Sequence, residues 1–235
     1  VIFPARSELV SPFTAKAKET IDHVAVTHAS SFALTSEGQV YSWGGSTFGV
    51  LGRRIEVNED DERKKCPQKI DFPFGGNTKV AHISAGYHHC LALTTEGNVF
   101  GWGNNEWGQL GIFSNEDKQA DCISEPAKVQ FGPCVDLVVK TISCGAFHSL
   151  AMVQVSGGGD SSQKQTSEVA FSWGCAKDGR LGFKTQKKMH RVPEEIKSLS
   201  TLMARKGLTL LDVKAGGAHS LALASKRGIR LTLTP

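Results

Sequence analysis

The chain has 235 residues, 40% of them hydrophobic and 21% charged, a composition typical of a globular protein with one large or two small domains. Its net charge of +4 comes from Lys and Arg residues scattered along the chain, so a nucleic-acid-binding domain is not indicated. No run approaches the roughly 20 apolar residues that span a bilayer, and the six cysteines include no C-x-x-C pair, which argues against a zinc knuckle or a redox motif.

The segment 1–20 precedes the first regular element. It has neither the charged-then-apolar pattern of a signal peptide nor a starting Met, so we expect it to be the interior of something longer. The cysteines are interpreted as buried free thiols in a reducing compartment. The expected location is therefore the cytoplasm or the nucleus.

The first unit, 21–79, contains two apolar runs on either side of a Ser-Glu-Gly-Gln turn at 36–39. The second unit, 80–138, repeats this arrangement around a Thr-Glu-Gly-Asn turn at 95–98. Short apolar runs on both sides of such a turn predict β-hairpins. The 25 glycines of the chain, above the usual share of about 7%, also predict many tight turns between short strands.

Two phrases recur along the chain. W-G-x-x-x-x-G-x-L-G and G-x-x-H each occur three times, and the copies of both phrases are separated by 59 and then 71 residues. A period of this length with several short strands is typical of a β-propeller blade. The residues assigned to the repeated frame are Trp43, Gly44, Gly52, Gly86, His89, Trp102, Gly103, Gly111, Gly145, His148, Trp173, Gly174, Gly182, Gly216 and His219.

The third and fourth units depart from the pattern. The third, 139–209, carries 12 extra residues, and a Gly/Ser insertion of flexible-linker composition lies near 154–168. It also contains the one stretch with helical periodicity, 194–206. The fourth unit, 210–235, is short, and Leu233 and Thr234 occupy its Trp and Gly slots.

The repeated tryptophan is expected to be buried between neighbouring blades. Burial removes about 150–250 Å² of indole from water, a gross gain of about 4–6 kcal/mol at about 25 cal/mol per Å². The glycines after Trp and before Leu are expected to permit positive φ or close backbone approach.

These phrases resemble the regulator-of-chromosome-condensation repeat family, whose members form seven-bladed propellers. The resemblance implies an all-β fold, a β-propeller of the regulator-of-chromosome-condensation type. About three and a half blades are present, so we expect an incomplete propeller that further blades of a longer chain, or another chain, would complete. The first unit departs from the family pattern, because Ser30 stands in the slot of the repeated histidine.

The repeated histidines allow two interpretations. They could form a catalytic or metal-binding set, but a residue that recurs once per blade is better explained as part of the scaffold, bonded to the backbone of a neighbouring strand. A denser group, His82, His88, His89 and Cys90, has adjacent members that point to opposite faces of a strand. We therefore predict no catalytic residue, no metal site and no cofactor.

Function is expected in residues that break the repeat, on loops held by a rigid scaffold. For each of them a solvated loop or local packing is the alternative interpretation. Trp107 could be an anchor of the kind found in binding hot spots, and the basic residues near 184–191 could meet an acidic partner or phosphates. The candidate partner-binding residues are Glu59, Asp60, Asp61, Glu62, Trp107, Lys184, Lys187, Lys188 and Arg191.

The sequence therefore predicts a non-catalytic scaffold or regulator that binds a protein partner. The alternative is a guanine-nucleotide exchange factor or regulator for a small GTPase, because the resembled family includes the exchange factor for Ran. A third option is the regulatory propeller of a larger ligase or kinase. The exchange factor carries an extended loop after one Trp-Gly pair, and all three copies here lack that extension, which lowers the odds of exchange activity in these blades.

Overall fold

The computed structural model describes residues 20–55, 64–112, 121–132, 137–156 and 166–226. Within these ranges the chain forms three four-stranded antiparallel sheets and one two-stranded sheet, in chain order. The predicted all-β propeller fold with about three and a half blades is confirmed. The strands are β1 (Ile21–Val26), β2 (Ser30–Thr35), β3 (Val40–Gly44), β4 (Gln68–Lys69), β5 (Val80–Ala85), β6 (His89–Thr94), β7 (Val99–Asn104), β8 (Cys122–Lys128), β9 (Leu137–Cys144), β10 (His148–Ser156), β11 (Thr166–Cys175), β12 (Met189–Glu195), β13 (Leu208–Ala215) and β14 (Ser220–Lys226).

Each sheet is one blade, and its hairpins follow from the turns that the sequence predicts. In blade one the β2–β3 turn closes with the Gly38 N–H donating to the Thr35 carbonyl at 2.9 Å. Gly38 has φ of 76°, a left-handed conformation that glycine adopts without steric cost. Gly97, with φ of 81°, closes the equivalent turn of blade two.

The innermost strands of successive blades, β1, β5, β9 and β13, contact one another in that order. The blades therefore follow one another along an arc. In blade two every residue of β6 and β7 is buried, because blades one and three cover its two faces. The described part of the chain contains no helix long and apolar enough to cross a membrane.

The insertion of the third unit lengthens a hairpin. Strands β10 and β11 have 9 and 10 residues, against 6 in β6 and β7, and they stay paired out to Ser156 and Thr166. The two ends of the predicted insertion, 154–156 and 166–168, are thus parts of strands β10 and β11. The Gly/Ser-rich stretch between them lies outside the described residues.

An α-helix, α1 (Lys197–Lys206), connects blade three to blade four at the place where the sequence shows helical periodicity. It ends at Gly207, whose left-handed φ of 61° forms the C-cap, and its last turn carries Arg205 and Lys206 beside the negative end of the helix dipole. Met203 is its buried residue and joins the core between blades three and four.

The core lies between the blades. Three buried clusters form, one at each junction, and each joins apolar residues of two successive sheets. Trp102 and Trp173 have no exposed surface and belong to the first and second of these junctions. Trp43 differs from the prediction: it is only half-buried, because no described sheet packs on the outer face of blade one.

Three cysteines are buried free thiols, as the sequence predicts. Cys90, Cys144 and Cys175 are free and buried, and burial raises the pKa of the Cys144 thiol to about 12. Cys122 is also free but exposed, and Cys66 is partly exposed. Cys134 lies outside the described residues.

Candidate interaction surface

Two sets of turns meet at one end of the blades, and we call this end the WG rim. The turns 27–29, 86–88 and 145–147 join the first and second strands of blades one to three. They are tied to the segment after each Trp-Gly pair by backbone N–H groups, such as Gly45 to the Ala29 carbonyl at 2.8 Å and Asn104 to the His88 carbonyl at 2.8 Å. These bonds fix the two sets of turns as one surface.

Below the rim the repeated histidines link successive blades through serine side chains. His89 Nε2 lies 3.0 Å from Ser149 Oγ, and this hydroxyl donates to the Gln109 carbonyl at 2.7 Å. His148 and Ser220 repeat the pairing at 3.0 Å between blades three and four. Because the serine hydrogen points to the carbonyl, the histidine Nε2 must carry the hydrogen of the shared bond. The Nε2 partner is thus a serine hydroxyl of the next blade, where the sequence predicted a backbone group. His148 also has a backbone hydrogen bond with His219.

Burial keeps both histidines neutral. It lowers the pKa of His89 to about 3, helped by the neighbouring His148, and the pKa of His148 to about 4, helped by the Arg180 charge. Both rings are fully buried. They act as fixed hydrogen-bond donors between blades.

The glycine of G-x-x-H is required by packing. A Cβ at Gly86 would overlap the His89 ring and the Gly145 carbonyl oxygen, and a Cβ at Gly145 would overlap the His148 ring. The glycines after the repeated tryptophans, Gly44, Gly103 and Gly174, have φ between 100° and 104°. A Cβ on any of them would also overlap a backbone carbonyl oxygen of the neighbouring turn. Positive φ and close backbone approach are thus both present at these positions.

The middle residues of the G-x-x-H turns are held in place by backbone bonds from blade to blade. The N–H of His28 donates to the Tyr87 carbonyl at 3.1 Å, and the N–H of Tyr87 donates to the Ala146 carbonyl at 3.3 Å. The N–H of Ala146 continues the series to the Gly217 carbonyl at 3.2 Å. This ladder presents the intervening side chains on the WG rim.

Five of the presented side chains form what we call the aromatic ridge: His28, Phe48, Tyr87, His88 and Phe147. The Tyr87 ring is central, with centroid distances of 4.5 Å to His88, 4.8 Å to His28 and 5.7 Å to Phe147. Phe48 packs on His88 at 5.1 Å. Phe48 and Tyr87 remain 42% and 41% exposed, so the ridge offers aromatic surface to a partner.

Phe48 is held in an unusual backbone conformation. Its φ of 60° is left-handed, and Asp178 at the equivalent position of blade three has φ of 59°. Bulky residues adopt this conformation rarely, and such strain is concentrated at functional sites. Asp178 is paired with the Arg180 guanidinium at 2.5 Å, whereas the Phe48 ring packs on His88 of the ridge.

Trp107 occupies the position in blade two that is equivalent to Phe48 and Asp178, and it lies between blades two and three. It is half-buried, its backbone N–H donates to Gln109 Oε1 at 2.9 Å, and the Lys177 ammonium lies 4.9 Å from its ring centroid. The indole is thus partly packed and partly open, beside a positive charge.

The predicted basic loop of blade three is held by His190, which the sequence indicated only as one of its basic residues. His190 is buried and lies 2.6 Å from Glu194 Oε1 and 2.9 Å from Thr185 Oγ1. The i, i+4 spacing to Glu194 is the signal that could have found it. Phe183 packs edge-on against its ring at 4.9 Å.

The structure separates the predicted binding residues. Lys184, Lys187 and Lys188 are exposed, whereas Arg191 is partly buried with its Cα against Gly108 of the preceding blade. The acidic run Glu59, Asp60, Asp61 and Glu62 lies outside the described residues. The side chains of the group around His82 lie in different places: His82 packs on His23 at 4.5 Å, His88 belongs to the ridge, and His89 bonds to blade three.

Three segments of the chain, 37–93, 96–152 and 169–223, match the sequence model of the Regulator of chromosome condensation (RCC1) repeat. The chain belongs to the RCC1 repeat family. The first two matched RCC1 segments begin in the turn between the second and third strands of one blade and end in the second strand of the next. An RCC1 repeat here therefore spans the junction between two blades, the place where the buried Trp, His and Ser residues meet.

Relatives with RCC1-type sequences occur in larger proteins. The ultraviolet-B receptor UVR8 of Arabidopsis thaliana is 30% identical over 169 residues, 72% of this chain and 32% of the receptor. The human probable E3 ubiquitin-protein ligase HERC6 is 28% identical over 218 residues, 93% of this chain and 19% of the ligase. The chain thus spans about a third or less of these curated relatives.

Among solved structures, Prp20p from Saccharomyces cerevisiae matches with a TM-score of 0.51 and 20% identity, covering 91% of this chain and 57% of that chain. The likeness supports the propeller fold of the RCC1 repeats described above.

Proposed function

We propose that this RCC1-repeat chain is a non-catalytic interaction platform that binds another protein through the WG rim. The supporting observation is that repeated residues and residues that break the repeat lie in different surroundings. The polar groups that repeat from blade to blade are buried and bonded to each other, as His89 is to Ser149. Side chains that break the repeat, Phe48 and Tyr87 above all, stand exposed on the same rim.

The aromatic ridge has the properties of a binding hot spot. Tyrosine is enriched in hot spots, and a few such residues carry most of the binding energy of an interface. The ridge backbone is fixed by the ladder through Tyr87 and Ala146, so little conformational entropy is lost when a partner binds. Exposed aromatic surface on a rigid support favours protein binding.

Three exposed lysines, Lys184, Lys187 and Lys188, give blade three a positively charged surface. This charge would steer a partner with an acidic patch toward blade three. We propose that such a patch meets these lysines, and that Trp107, whose ring lies beside Lys177, adds an apolar contact.

The relatives are consistent with such a role inside a larger assembly. HERC6 carries its RCC1-type region within a protein named as a probable ubiquitin ligase, which supports the option of a regulatory propeller in a longer chain. Exchange activity toward a small GTPase is the alternative function, and a nucleotide-release assay with the same variants distinguishes it from a passive platform.

The test compares two variants of the chain in affinity capture with quantitative mass spectrometry. Phe48→Ser/Tyr87→Ser removes the exposed part of the ridge. Val138→Ser is the matched control, since Val138 is 38% exposed and lies at the other end of the blades, beside the turn of Gly97. Loss of hot-spot contacts worth about 2 kcal/mol or more lowers affinity at least about 30-fold.

We expect the ridge variant to lose specific partners that the wild type and Val138→Ser both retain. Identical capture by all three proteins would contradict the proposal. The wild type is also added to a panel of small GTPases loaded with fluorescent nucleotide, where faster nucleotide release, lost in the ridge variant, would support exchange activity instead of a passive platform.

A further inference from the structure

The outer strand of blade three carries a polar pair where the outer strand of blade two has apolar residues. The registers of the two strands make His190 on β12 equivalent to Ile123 on β8, and Glu194 equivalent to Ala127. His190 is buried, and its Nδ1 lies 2.6 Å from Glu194 Oε1. Blade two folds with Ile123 and Ala127 at these positions, and burial of a polar pair costs desolvation free energy. The pair therefore indicates a role beyond folding the blade.

The hydroxyl of Thr185 is the third member of this group. Thr185 Oγ1 lies 2.9 Å from His190 Nε2, and it accepts a hydrogen bond from the Lys187 backbone N–H at 3.1 Å. With its Nδ1 hydrogen donated to the Glu194 carboxylate, the ring accepts the hydroxyl hydrogen at Nε2. The hydroxyl oxygen is thus held beside a ring nitrogen that becomes a second donor when the ring takes up a proton.

The segment that carries Thr185 can be reached by another protein. Residues 182–188 form neither helix nor strand, and Thr185 itself is half-buried. Its exposed neighbours are Lys184, Gln186, Lys187 and Lys188. No regular element has to be broken for an enzyme to reach the hydroxyl.

The same segment is strongly basic. Lys184, Lys187 and Lys188 lie within three residues of Thr185, and no acidic residue occurs from 182 to 191. Charge patterns set the specificity of kinases for their substrates, so this segment fits a kinase with an acidic substrate cleft. A phosphothreonine carries about −1.5 to −2 charges and three acceptor oxygens. The segment thus complements both such a kinase and the phosphate that it adds.

We propose that Thr185 is a phosphorylation site for a serine/threonine kinase that prefers basic substrates, and that His190 and the loop lysines hold the attached phosphate. Thr185 Oγ1 attacks the γ-phosphorus of ATP, the bond from that phosphorus to the β,γ-bridging oxygen breaks, and ADP leaves. The hydroxyl proton passes to the catalytic base of the kinase. His190 then takes up a proton and donates from Nε2 to the phosphate and from Nδ1 to Glu194.

Phosphorylation would change the charge that blade three presents. The phosphate offsets about two of the three positive charges of Lys184, Lys187 and Lys188. If these lysines bind an acidic patch of a partner, phosphorylation weakens that contact. This consequence rests on the proposed function, whereas the modification and the binding of the phosphate do not.

The first test measures the modification on the folded full chain. The chain is incubated with ATP and a panel of kinases that prefer basic substrates, and phosphorylated residues are located by tandem mass spectrometry. Thr201→Val is the matched control for Thr185→Val, because Thr201 is also exposed but lies on α1, where its hydroxyl donates to the Lys197 carbonyl at 2.8 Å. We expect phosphate on Thr185 in the wild type and in Thr201→Val, and its loss in Thr185→Val. No phosphate on Thr185 with any kinase of the panel, or equal modification of Thr201, would overturn the proposal.

The second test measures how the phosphate is held. The ³¹P resonance of phosphorylated Thr185 is titrated in the wild type, in His190→Gln and in urea. Nearby positive charges favour the dianion, so the second pKa of the phosphate should lie below its usual value of about 6 in the folded wild type and return to it in urea. His190→Gln should recover part of this difference. The same pKa in the folded and unfolded chain, or in the wild type and His190→Gln, would contradict the proposal. Both tests use the chain alone, so their outcome is independent of partner capture.

Discussion

Replacing Trp173 with alanine removes an indole that is completely buried between two blades. Its transfer from water is worth about 4–6 kcal/mol by area, and measured Trp-to-Ala changes in protein cores cost about 3–5 kcal/mol. The variant also removes the Nε1 hydrogen bond to the Gln109 carbonyl. We expect Trp173→Ala, and likewise Trp102→Ala, to lower the free energy of unfolding by about 3–5 kcal/mol.

Trp43 supplies the internal control, because it occupies the same place in the repeat but is only half-buried. Trp43→Ala is expected to cost about 2 kcal/mol or less, in proportion to the smaller area withdrawn from water. Trp173→Phe keeps most of the ring volume and is expected to cost about 1–3 kcal/mol, since the Gln109 carbonyl retains its bond from Ser149.

The assay is urea unfolding followed by circular dichroism, with the midpoint compared at constant m-value. A net stability of about 5–15 kcal/mol is typical of a domain, so a loss of 3–5 kcal/mol produces a large shift of the midpoint. Equal losses for Trp43→Ala and Trp173→Ala would refute the reasoning, and so would a loss below about 1 kcal/mol for Trp173→Ala.

Three further predictions concern the repeat and the basic loop. Gly86→Ala should destabilise the fold by more than about 2 kcal/mol in thermal unfolding, because the new Cβ would overlap the His89 ring and the Gly145 carbonyl. Gly75→Ala is the control and should be nearly neutral, because its Cβ would meet no atom within 4 Å. Equal effects of the two variants would contradict the packing argument. Stability should fall with acid, because the pKa values of His89 and His148, about 3 and about 4, lie below the unfolded value of 6.5, so the unfolded chain binds their protons first as the pH falls from 6.5. Between pH 6.5 and 5 the two histidines together should lower the free energy of unfolding by about 3 kcal/mol. This contribution is measured as the part of the pH dependence that is lost in the variant His89→Gln/His148→Gln. If the free energy of unfolding of that variant has the same slope against pH as the wild type, buried neutral histidines are excluded. His190→Ala should speed proteolysis after Lys187 and Lys188 several-fold, because it removes the contacts to Glu194 and Thr185 that order the loop; an unchanged cleavage rate would show that the loop is ordered without His190.

Much of the fold could be predicted because its determinants are local. Each blade hairpin is specified by a few adjacent residues, such as the turn that ends in Gly38, and the common spacing of the Trp-Gly phrases fixed the number of blades. The positive φ of the glycine after each tryptophan was predictable for the same reason, since this glycine recurs at a fixed place in the phrase.

The contacts between blades were less predictable. The pairing of His89 with Ser149 joins residues 60 positions apart, and nothing in either phrase alone indicates which group the ring meets. The exposure of Trp43 depends on its place at the end of the described array and not on its own sequence. The aromatic ridge forms because the ladder through Tyr87 stacks the turns of three blades, although aligning the two middle residues of each G-x-x-H turn would have revealed its aromatic character.

The repeated residues form the scaffold of the stacked blades, and hydrogen exchange of the four tryptophan indole N–H groups tests this directly. The structure predicts two slow indoles, Trp102 and Trp173, whose N–H groups are buried and bonded to carbonyls, and two fast ones, Trp43 and Trp107, which are partly exposed. In two-dimensional ¹H–¹⁵N spectra recorded after transfer to D₂O, with assignments from Trp→Phe variants, two indole signals should persist for hours while two disappear within minutes. Rapid loss of the Trp102 or Trp173 signal, or protection of Trp43 equal to theirs, would contradict the stacked arrangement.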